Sequence, residues 1–92
     1  MNVIVVREYV REPKTDMGPF RIVMVARTAD GEPMISPVVT IEGYADGNPY
    51  GVYGDAVAEF TGRKALDCNI TVAECRSGDL GRWGDDYDIF VA

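Results

Sequence analysis

The sequence predicts a small α+β domain: a mainly antiparallel sheet of about five strands with one short helix, in the order β-β-β-α-β-β. Three observations lead there. Runs rich in β-branched and aromatic residues recur along the chain, separated by breaks that contain Gly and Pro. One segment, residues 55–61, instead spaces its apolar residues as a helix does. A chain of 92 residues makes a single domain, 1–92, and folding buries only about two-thirds of the surface that the unfolded chain exposes. The alternative for the same pattern is a small all-β barrel in which 55–61 is another strand.

Val3, Ile4, Val5 and Val6 open the first strand, residues 2–10, because β-branched side chains fit a pleated surface. Residues 12–19 hold two prolines and a glycine, which cannot sustain a ladder, so they form a loop. The second strand, 20–28, places Phe20, Ile22, Met24 and Ala26 on one face and Arg21, Val23, Val25 and Arg27 on the other. Arginines at both ends of that second face predict that only its middle is covered.

Asp30-Gly31 is the clearest local signal. Both residues tolerate positive φ, as a type I′ hairpin turn requires, and β-rich runs flank them. The third strand, 34–44, contains Pro37, which cannot donate to a ladder. It is therefore an edge, bulged, or broken near Ser36 and Pro37. Residues 45–54, with three glycines and two tyrosines, read as a loop.

Asp55 then reads as the N-cap of the helix, with Val57 and Phe60 facing the sheet. Gly62 ends the helix at its C′ position, or is tolerated within a helix that runs on to 66. A strand over 68–75, a glycine-rich loop over 76–86 and a last strand over 87–91 complete the chain. On a continuous strand Cys68 and Cys75 stand roughly 23 Å apart and point to opposite faces. A disulfide needs Cα atoms within about 7 Å, so both are expected to be reduced, structural thiols.

The chain has no histidine, which removes Ser/His and Cys/His nucleophile pairs and imidazole ligands. Neither Lys14 nor Lys64 has a context that marks it as activated, so no catalytic residue and no cofactor is expected. Asp85-Asp86-Tyr87-Asp88 has oxygen ligands for a hard cation, but the plainer reading is a solvated turn. Asp46 to Gly51 begins like a calcium loop, yet Val57 stands where the bidentate glutamate is required. Gly47, Gly51 and Gly54 lack the Gly-Lys-Ser/Thr of a phosphate loop, and Asp55 repels a phosphate at the helix start.

Charge carries the functional reading. Residues 1–41 hold five acids and five bases, whereas 42–92 hold ten acids against Arg63, Lys64, Arg76 and Arg82, giving a net charge of −6. Such a chain lacks the cationic footprint for direct nucleic-acid binding. Arg7, Arg11, Lys14, Arg21 and Arg27 are its only basic concentration, with Arg7 and Arg21 or Arg27 as a modest patch. Glu8 and Glu12 interleave with them, which favours a solvated strand face. No apolar run approaches the ~20 residues of a membrane helix. The first residues lack the signal-peptide pattern, so a cytoplasmic location is expected.

Tyr and Trp give rigid contact area, while Gly and Asn let a loop adapt. The acidic loops over 44–54 and 76–87 combine these types. The candidate partner-binding residues are therefore Asp46, Tyr50, Trp83, Asp85, Asp86 and Asp88, and the expected partner is a basic protein or ribonucleoprotein.

In size, acidity and lack of catalytic residues the chain is similar to the small inhibitors made by phages and mobile elements, anti-CRISPR proteins among them. That resemblance implies a viral protein that blocks a nucleic-acid site on a basic complex, in some cases as a nucleic-acid mimic. One alternative is a structural or assembly subunit of a virion or toxin–antitoxin-like complex. Such a subunit would form homo-oligomers through an exposed edge at 34–44. The other alternative is a small metal-dependent enzyme.

Overall fold

The computed structural model describes residues 1–10, 18–42, 48–75 and 80. Its strands are β1 (Asn2–Tyr9), β2 (Phe20–Arg27), β3 (Pro33–Ile35), β4 (Val39–Ile41) and β5 (Asn69–Glu74). Its helices are α1 (Pro49–Val52) and α2 (Gly54–Thr61), followed by a 3-10 turn at Ala65–Asp67. The strands make one open five-stranded sheet, so the α+β class holds and the barrel does not. The sequence-predicted strand 87–91 lies outside the described residues.

β1 is central. It pairs antiparallel with β2, from Val3 opposite Ala26 to Tyr9 opposite Phe20. On its other side it pairs parallel with β5, from Asn2 opposite Asn69 to Arg7 opposite Glu74. The sheet is mainly antiparallel, as expected, with β1–β5 as its parallel pairing, because the helices between β4 and β5 provide a crossover long enough for parallel strands. β3 and β4 both pair with β2, at its opposite ends.

The break anticipated at Pro37 is real, and Ser36 makes it possible. Ser36 N–H donates to the Met24 carbonyl at 2.9 Å. In return, Met24 N–H donates to Ser36 Oγ at 2.7 Å, a side-chain oxygen standing where a ladder carbonyl would be. Ser36 Oγ–H donates onward to the Pro37 carbonyl at 2.9 Å. Both backbone groups of Met24 are therefore satisfied although the strand stops.

The Asp30-Gly31 hairpin forms, but not as type I′. Within the turn Gly31 alone adopts positive φ, at 83°, and among the described residues no non-glycine residue does. Gly31 N–H donates to the Thr28 carbonyl and Thr28 N–H to the Glu32 carbonyl, both at 2.9 Å. A longer loop that ends in one left-handed glycine needs only that one unusual residue.

Residues 49–52, expected within a loop, form the single turn of α1. Asn48 caps it, its Oδ1 accepting from Tyr50 N–H at 3.0 Å, and Pro49 fills the first helical position. Because α1 leads directly into α2, Tyr53 occupies the N-cap that was expected for Asp55. Asp55 instead lies in the first turn, where its charge suits the helix dipole. Gly62 ends α2 in a left-handed conformation, φ 69°, with its N–H on the Ala58 carbonyl.

The helices cover one sheet face. Val3, Val5, Phe20, Ile22, Met24 and Ala26 are buried there beneath Tyr53, Val57 and Cys68. Phe60 packs at the margin and stays half-buried, less central than its spacing suggested. On the opposite face Val6, Val23 and Val25 are buried with Leu80, so the middle of that face is covered as predicted. The two cysteines flank β5 rather than lying within it. Cys68 belongs to the first face and Cys75 to the second, and neither is disulfide-bonded.

Two expectations about the basic residues fail. Glu8 is not solvated: it is 3% exposed and forms an ion pair with Arg21, Oε1 to Nε at 2.9 Å. Arg7 lies on the helix-covered face, donating to the Tyr53 hydroxyl at 3.0 Å with its guanidinium 5.2 Å from the Phe20 ring centroid. Arg7 and Arg21 therefore point to opposite faces and share no patch. Burial works against the Arg7 charge, but the Tyr53 hydrogen bond and the nearby Tyr9 and Glu74 outweigh it, holding its pKa above the ordinary value. Among the described residues, no helix is long and apolar enough to cross a membrane.

Candidate functional site

Of the six residues that the sequence nominates for partner binding, Tyr50 lies among the described residues. Asp46, Trp83, Asp85, Asp86 and Asp88 lie outside them. Tyr50 is half-buried, and its hydroxyl donates to the Cys68 carbonyl at 3.0 Å. That bond ties α1 to the start of β5, so the hydroxyl is engaged within the fold and the ring is what remains for a partner.

A concavity among the described residues lies elsewhere. An open groove of about 290 Å³ runs between α2 and the break that separates β3 from β4. Met24 of β2 forms its floor, Ser36, Pro37 and Val39 one wall, and Ala56, Glu59 and Phe60 the other. The helical wall follows from periodicity. Val57 is buried in the core, so the residues at 56 and 60, four apart, turn together towards the groove, with Glu59 beside them.

Ser36 is the polar member of the opposite wall, but its hydroxyl already accepts from Met24 N–H and donates to Pro37. The groove thus presents apolar surface and one carboxylate. Val38, 54% exposed, and Ile35, 41% exposed, flank Ser36 and Pro37 in sequence without lining the groove, and Ile35, opposite Val25, belongs to the other face of the sheet. Asp55 and Glu59, one turn apart on α2, are both exposed. This arrangement suits an apolar side chain with a cationic group beside it. Among the described residues, no group of three or more His, Cys, Asp and Glu comes together to hold a metal.

A second cavity, about 280 Å³, lies beside the hairpin turn and is lined by Met1, Arg27, Thr28, Ala29 and Arg63. No contiguous motif announces either cavity. Each joins residues far apart in sequence, and the usable hints for the groove were the break at Pro37 and the spacing of Ala56 and Phe60. No family model, no curated protein and no solved structure matches this chain.

Proposed function

We propose that this protein is an acidic protein-binding module, an inhibitor that occupies a nucleic-acid-handling surface of a basic protein or ribonucleoprotein. The observation that carries the reading is the apolar groove with Glu59 in its wall and Asp55 one turn away. An apolar anchor of the partner fills the groove, and a Lys or Arg beside that anchor reaches the two carboxylates. Apolar anchors in pockets supply most of an interface's energy, while rim charges supply rate and selectivity. The further candidate contacts are those nominated from the sequence, Asp46, Asp85, Asp86 and Asp88 as acids with Tyr50 and Trp83 as anchors; of these, Tyr50 lies among the described residues. The site of action is the cytoplasm.

Assembly through a strand edge is the weaker reading. β3 and β4 are three residues each, with Pro33 in the first and the Pro37 break between them. Short, proline-bearing edges discourage edge-to-edge pairing.

Affinity isolation from the native host, with wild type beside Glu59→Lys and Phe60→Ala, tests the proposal. Wild type should retain a basic, nucleic-acid-binding protein that both variants lose. Retention should weaken as salt approaches 1 M, where the Debye length is about 3 Å. A partner held equally by all three proteins at any salt would place the interface outside the groove.

A further inference from the structure

The groove sets two chemical conditions on whatever fills it. Its lining is apolar at Met24, Pro37, Val39, Ala56 and Phe60, while Glu59 belongs to the helical wall itself. Ser36, the other polar residue there, has its hydroxyl committed to Met24 and Pro37. Among the described residues the Glu59 carboxylate has no ion pair or hydrogen bond. A purely apolar side chain filling the groove would strip water from that carboxylate and give nothing in return, which is costly. The occupant has to bring a positive charge to the wall.

The helix fixes how far that charge must reach. Ala56 lies three residues before Glu59 and four before Phe60, so its Cβ stands about 5–6 Å from each of theirs. A methylene stem laid over Ala56 meets Phe60 on one side and Glu59 on the other. We infer that the groove receives a single arginine side chain of the partner, its stem on the apolar lining and its guanidinium on the Glu59 carboxylate. This rests on the groove being the interface, and it merges the apolar anchor and the cation into one residue. Arginine suits the site better than lysine because its planar, weakly hydrated fork gives a carboxylate two hydrogen bonds and stacks on an aromatic ring. The fold uses the ring contact internally, with the Arg7 guanidinium 5.2 Å from the Phe20 centroid. Asp55, exposed and one turn back on α2, adds to the negative field that the guanidinium meets.

Titration of the isotopically labelled protein with the N-acetyl amides of arginine, lysine and norleucine, in about 0.1 M salt, tests the inference. Norleucine keeps an unbranched apolar stem and lacks the charge. The amide signals of Val39, Ala56, Glu59 and Phe60 should shift and saturate with arginine. Its dissociation constant should lie about tenfold below that of norleucine, as one charge-assisted contact supplies, with lysine between them. Glu59→Gln, an exposed change on α2, should raise the arginine constant about tenfold and leave that of norleucine unchanged. The inference is overturned if norleucine or lysine binds as tightly as arginine, if the arginine shifts never saturate, or if Glu59→Gln leaves the arginine constant unmoved. Affinity isolation with Phe60→Ala judges the interface separately. Loss of the host partner in that variant, beside any of those results, would remove the arginine and leave the groove.

Discussion

Ser36→Ala tests the account of how the sheet survives its own interruption. The substitution removes the Oγ that accepts Met24 N–H at 2.7 Å. Met24 is 2% exposed, so its amide is left in the interior without an acceptor. A buried donor stranded in this way costs about 1–3 kcal/mol. Ser36 lines the groove, however, and a water entering there recovers part of the loss. We therefore expect about 1–2 kcal/mol, which lowers the melting temperature of a domain this size by about 4–16 °C. In urea the midpoint should fall with an unchanged slope, and exchange of the Met24 amide should quicken. Thr28→Ala is the matched control. Thr28 Oγ1 accepts Glu32 N–H at 3.1 Å, the same kind of bond at an exposed position. Its loss should cost no more than about 0.5 kcal/mol. If the two variants unfold alike, the Ser36 hydroxyl is not what closes the break.

Two further predictions concern the framework. Gly31→Val puts a β-branched residue at φ 83°, where no neighbouring atom obstructs a Cβ but the backbone itself is strained. It should cost about 1–2 kcal/mol in thermal melts, and a wild-type melting temperature would contradict the turn described above. Val57→Ala, at a fully buried position, should destabilise by about 2–3 kcal/mol. Phe60→Ala, at a half-buried position, should fall short of the ~3–5 kcal/mol of a fully buried phenylalanine, near 2 kcal/mol, by chemical denaturation. A larger loss at Phe60 than that would show that the groove wall belongs to the core.

Much of the fold is legible in the sequence wherever the cause is local. The alternation from Phe20 to Ala26 has the strand period, Pro37 cannot donate to a ladder, and Gly62 supplies a left-handed cap. Features that depend on remote partners are not legible. Nothing near β5 reveals that it lies parallel to β1. Glu8 reads as solvated because its partner, Arg21, is reached only once β1 and β2 pair in register. Asp55 was displaced from the cap by α1, a helix of one turn whose Asn48-Pro49 start looks like any polar loop. The groove was hidden for the same reason: Met24, Val39 and Phe60 share it only through tertiary packing.

The position of β1 between two partners governs the order in which the molecule can assemble. One neighbour, β2, follows after a short connection, whereas Asn69 reaches Asn2, side chain to side chain at 3.0 Å, across 67 positions of chain. Strand pairs with such separation close slowly, because the chain entropy is lost before the contacts form. At about 5–20 residues per second of synthesis, residues 69–74 leave the ribosome a few seconds after β2 does. During that interval the outer rim of β1 has no neighbour and can template pairing with another nascent chain. Fragments that end before β5 should therefore aggregate although they contain most of the core, and the final parallel pairing protects the molecule against self-association during its own production.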